Sequence, residues 1–152
     1  MAGFDRLTPE GKRFYAMLDE IKELEVRVGY QAGDAADDRG VDMCAIAAWN
    51  ELGTSDMPAR PFLRNTADNH SDELKSFAQA QAGQLVSGGS AESCLNNLGV
   101  FAKGLVQEEI GSGSFAANAP STIRKKGSST PLIDTGRLRQ SVNFVIKPKG
   151  GG

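Results

Sequence analysis

Pro131-Leu132-Ile133-Asp134-Thr135-Gly136-Arg137-Leu138-Arg139-Gln140-Ser141 runs straight into Val142-Asn143-Phe144-Val145-Ile146. The first part reads as a helix start and the second as a strand. Asp134 follows two apolar residues and can accept a hydrogen bond from a free amide of the next turn. With Asp134 as N-cap, Ile133 falls at N′ and Leu138 at N4, the two positions of a hydrophobic staple. The helix has to be short, because the apolar alternation of Val142–Lys147 already belongs to a strand. A helix joined directly to a strand makes the fold mixed.

Further strand and helix signals lie upstream. Thr8 and Pro9 open a helix over 8–24 as N-cap and N1. Phe14, Met17, Leu18, Ile21 and Leu24 recur along it at helical spacing. The period then drops to two in Glu25-Val26-Arg27-Val28-Gly29-Tyr30, with Val26, Val28 and Tyr30 on one face of a half-buried strand. Gln31–Gly40 is polar and acidic and reads as an exposed, mobile loop. Its aspartates Asp34, Asp37 and Asp38, with Asp42, lack the alternation and closing glutamate of a calcium loop. Val41–Leu52 reads as a compact helix of small residues stopped by Gly53. Trp49 on that helix is expected in the core, with an interface role as the other option.

Pro58-Ala59-Arg60-Pro61 is rigid and extended, because residues before proline avoid the helical region. Pro61 can open a helix at N1. The stripe Phe62, Leu63, Thr66, His70, Leu74, Phe77, Ala78, Gln81 and Leu85 makes that helix long, up to a break at Ser87-Gly88-Gly89-Ser90. Ser90 caps the next helix, which Leu95, Leu98, Ala102, Leu105, Val106 and Ile110 carry to Gly111. Two long helices with a short turn form an αα-hairpin. Gly111–Ala119 reads as a flexible loop, Pro120–Lys126 as one or two helical turns, and Gly127–Thr130 as a second loop. The lysine–glycine tail is expected to fray. The expected fold is α+β, one domain over 1–152. A small antiparallel sheet of Val26–Tyr30 and Val142–Lys147 packs against the hairpin of 61–110, with an additional N-terminal helix.

The net charge of −2 hides an asymmetry. Residues 1–56 carry 12 acids and 6 bases, whereas 120–152 carry 1 acid and 7 bases. An acidic front and a basic tail suit contact between copies or with charged partners. Nucleic acid is the alternative partner for the tail, although seven charges over 33 residues are a weak signal. Cys44 and Cys94 lack partners at metal-ligand spacing and read as small buried residues in two helices. No charged-then-apolar leader is seen, and no apolar run approaches the roughly 18 residues needed to span a bilayer. The expected setting is a cytoplasm-like compartment, or a particle assembled in one, without membrane contact.

Leu132-Ile133-Asp134-Thr135-Gly136 resembles the active-site triplet of aspartic proteases, in which two aspartates share a proton. Arg137 stands where that pattern has a small residue, and a guanidinium there holds the aspartate ionised. His70 is the single histidine. Asn69, Ser71 and Asp72 beside it are the nearest partners for acid–base work, but a packed or solvent-facing role is the simpler reading. No phosphate loop, nucleophile elbow or metal pair is present. The sequence therefore offers no catalytic, cofactor or metal residues.

Two segments together carry a resemblance. Met57-Pro58-Ala59-Arg60-Pro61-Phe62-Leu63-Arg64, followed by Pro131–Ser141, resembles the paired signature of tail-completion and neck proteins of tailed bacteriophages. Pro120-Ser121-Thr122-Ile123 with Lys126-Gly127 fits the stretch before the second segment, and Trp49-Asn50-Glu51-Leu52-Gly53-Thr54 fits the stretch before the first. Leu52 departs from the family's Tyr or Phe before the glycine. The resemblance spans about residues 25–147. It implies a non-enzymatic structural virion protein at the head–tail junction, made in the host cytoplasm and forming a homo-oligomeric ring, a hexamer or dodecamer. The implied partners are head-completion or connector proteins on one side and tail-terminator or tail-tube proteins on the other; the alternative carried by the basic tail is a nucleic-acid-contacting module with non-specific contact to packaged DNA. The implied interaction residues are Arg60, Phe62, Leu63, Arg64, Asp134, Gly136, Arg137, Leu138 and Arg139. For Arg60 and Arg64 the competing expectation is pairing with Asp68 and Asp72 along the same helix instead of with carboxylates at a subunit contact, the interface role being the firmer for Arg60.

Overall fold

A computed structural model of the chain describes residues 6–111 and 131–150, with the backbone alone over 131–135. The expected turns at 120–126 and the expected loops at 112–119 and 127–130 lie outside the described residues. Among the described residues six helices and two strands follow in order: α1 Pro9–Lys22, β1 Leu24–Gly29, α2 Met43–Leu52, α3 Phe62–Asn69, α4 Ser71–Val86, α5 Ala91–Gly111, α6 Pro131–Ser141 and β2 Asn143–Pro148. The architecture is α+β, with β1 and β2 paired as a two-stranded antiparallel sheet. The chain divides into two compact units.

The first unit holds residues 6–27, 72–102 and 144–150. Gly11 N–H donates to Thr8 Oγ1 at 3.1 Å, so Thr8 caps α1 and Pro9 occupies the first turn. The helix closes at Glu23, and Leu24 becomes the first strand residue instead of the last position of the helical stripe. Lys149 N–H donates to Glu23 O at 2.8 Å, which sets the end of β2 beside the start of β1. The turn after α4 needs glycine: Gly88 has φ +101°, a region side chains avoid. Its carbonyl accepts from Arg13 Nη2 at 3.3 Å, which ties α1 to the turn. Ser90 then caps α5 as expected, accepting from Ser93 N–H at 3.1 Å.

Phe77 and Phe101 stack with centroids 4.2 Å apart and join α4 to α5. Leu85, Ala91, Cys94 and Leu95 are buried there. A side chain at Gly99 would overlap the Phe144 ring, so β2 lies directly on α5. Both cysteines are free thiols; Cys94 is buried and Cys44 is half-buried. Burial pushes the Cys94 thiol up from its ordinary value.

The second unit holds residues 28–71, 103–111 and 131–143. Its core is Met43 and Ala47 of α2, Phe62 of α3, Val106 and Ile110 of α5, Leu138 of α6, and Val142. Val28, Tyr30, Ala35, Ile46 and Leu63 pack around it. Asp42 caps α2 through Oδ1, accepting from Cys44 N–H at 3.0 Å, and Gly53 ends the helix with φ +79°.

Several expectations change. The long helix expected from Pro61 is two helices, broken at His70, where φ is −120° and ψ is 17°. Thr66 Oγ1 donates back to the Phe62 carbonyl at 2.7 Å, and Asn69-His70-Ser71 are weak helix formers, so the break falls where propensity is lowest. The hairpin proper is α4 and α5. The helical backbone of α6 starts at Pro131, so Asp134 lies inside the helix and not at the N-cap, and Ile133 and Leu138 do not fall at the N′ and N4 positions. Finally, Trp49 is not core: it is 47 % exposed, with Leu52 on the same outer face at 79 %.

Candidate interaction site

The first signature segment is built onto the end of α2. A side chain at Gly53 would come within 2.8 Å of Ala59 N, so only glycine lets the chain fold back this closely. Thr54 N–H donates to Met57 O at 2.9 Å across the turn, and Arg60 N–H donates to Asn50 O at 2.5 Å. The chain thus arrives at Pro61, which is the N-cap of α3 and not its N1 residue as expected, with no side-chain oxygen to offer the free amides of that helix.

Glu51 fills the role from α2. Its Oε2 accepts from Leu63 N–H at 2.9 Å and its Oε1 from Arg64 N–H at 3.0 Å. Both carboxylate oxygens serve one helix end, where the aligned peptide dipoles favour negative charge. Phe62, 1 % exposed, is thereby held in the core, edge-on to Tyr30 with centroids 6.0 Å apart. Leu63 packs half-buried beside it, Arg60 is half-buried and Arg64 is exposed.

The second segment reaches the same core. Leu138 is 1 % exposed. Its carbonyl accepts the Tyr30 hydroxyl at 2.5 Å, so one tyrosine touches Phe62 of the first segment and Leu138 of the second. Burial raises the Tyr30 phenol above its usual range, which keeps it protonated and donating. Arg137 pairs with Asp38 of the acidic loop, an exposed ion pair. Arg139 is exposed, and its carbonyl accepts from Gln107 Nε2 at 3.0 Å. Nothing among the described residues explains a glycine at 136: a side chain there meets none of their atoms within 4 Å.

Loop 31–40 is organised by its own carboxylates. Asp37 Oδ1 accepts from the Arg39 and Val41 amides, each at 2.9 Å, and Oδ2 accepts from Arg39 Nε at 2.8 Å. The Val41 amide in the first place, and Arg39 as well, hold the Asp37 carboxyl below its ordinary value. Asp42 Oδ2 accepts from Gly33 N–H at 2.9 Å. Among the described residues no group of His, Cys, Asp or Glu is placed to hold a metal ion, and no helix is long and apolar enough to cross a membrane.

His70, at the break between α3 and α4, faces Glu109 of α5, with Nε2 3.4 Å from Oε2. Asn69 Nδ2 donates to Glu109 Oε1 at 3.4 Å. Glu109 is 5 % exposed, so His70 is packed against a buried carboxylate of α5. The break also ends the helix along which Arg64 was to reach Asp72.

Two side chains outside the expected interaction residues hold them in place, Glu51 and Tyr30, and Glu109 holds the break at His70. Glu51 carried a signal, since it belongs to the segment quoted before the first motif. Tyr30 was read only as a strand-face residue, and Glu109 gave no signal at all. Searches for similar proteins found no match among family models, curated proteins or solved structures.

Proposed function

We propose that this chain is a structural virion protein of a tailed bacteriophage, a ring subunit that completes the tail or neck and joins tail to head. The observation that carries the reading is the convergence of its signature. Glu51 of the first fitting stretch caps the helix of Phe62 and Leu63, and Tyr30 links Phe62 to Leu138. Segments separated by about seventy residues build one core, as expected of a signature that specifies an assembly subunit.

In an enzyme, such a signature gathers reactive groups around a substrate. Here Phe62 and Leu138 lie in the core, and Glu51 is engaged at a helix end. Arg64 and Arg139 are exposed and offer guanidinium groups to carboxylates of a neighbouring subunit or of the head and tail proteins. Arg137 is already paired with Asp38 inside the chain, so part of the acidic-front and basic-tail asymmetry is neutralised within one subunit.

The test is location. Gold-labelled antibody against a tag on this protein should decorate purified particles at one point, where the head meets the tail. Label along the whole tail, on the head shell, or absent from particles would overturn the proposal.

A further inference from the structure

We draw no further inference here: the strongest candidate, the exposed apolar face that Trp49 and Leu52 form on α2, carries none, because nothing in the structure shows what covers it.

Discussion

α1 and α3 both start at an Xaa-Pro step, and they satisfy their first amides in opposite ways. At Thr8-Pro9 the residue before proline carries a hydroxyl, and that hydroxyl caps the helix three residues on. At Arg60-Pro61 the proline itself is the cap residue, and its ring offers no oxygen to accept a hydrogen bond. The acceptor comes instead from Glu51, twelve and thirteen residues away on another helix. α1 has a self-contained start and no buried residue. The start of α3 is capped from α2, and it delivers Phe62 to the centre of a core. A local cap makes a helix, whereas a remote cap makes a helix and places it.

The difference is tested most severely at Phe62. Phe62→Ala removes a ring that is 1 % exposed and should cost about 3–5 kcal/mol in urea unfolding. A loss under about 1 kcal/mol would mean that α3 is not anchored through this residue. Glu51→Ala comes next: two amides lose a charged acceptor, at about 1–3 kcal/mol. Glu51→Gln, with one carbonyl oxygen, should recover part of it. Thr8→Ala, which loses one local cap, should cost about 1 kcal/mol. Equal losses at positions 51 and 8 would erase the distinction between the two helix starts.

Tyr30→Phe keeps the edge-on contact with Phe62 and deletes the hydrogen bond to Leu138, at about 0.5–1.5 kcal/mol. If stability is unchanged, the hydroxyl does not help to join the two signature segments. The smallest effect is one of pH. The folded-state value of Asp37 is depressed, chiefly by the Val41 amide. Its stabilisation is therefore complete above the unfolded carboxylate value, about 4, and disappears as pH falls through the lower folded value. Asp37→Asn should be less stable than the parent at neutral pH, with the gap closing on acidification below about pH 4. A gap that stays constant in acid would show that the carboxylate charge is not what organises the loop.

The same contrast explains which features were legible in the chain. Thr8, Ser90 and Gly53 act within three or four residues of their own position, so the sequence alone reveals them. The two strands were legible because alternation is a local property, even though each strand is shifted by one or two residues from its expected bounds. The face of α2 was not legible. Met43, Ile46 and Ala47 on one side and Ala45, Ala48, Trp49 and Leu52 on the other are all apolar, so periodicity has no side to choose, and the size of Trp49 pointed to the wrong one. Nor was the break at His70, because the apolar stripe continues through it and only the run of weak helix formers marks it. Asp134 looked like a cap because it stands before a good helical pattern, yet Pro131, three residues earlier, starts the helix equally well. In the signature itself, Phe62 and Leu138 could be singled out from sequence, whereas the contacts through Glu51 and Tyr30 required the fold.

The central claim is that this signature builds a joining subunit, and electron micrographs of particles assembled with and without the protein test it most directly. The account predicts that, in its absence, filled heads and full-length tails accumulate side by side and stay unjoined. Normal joined particles in its absence would contradict the account.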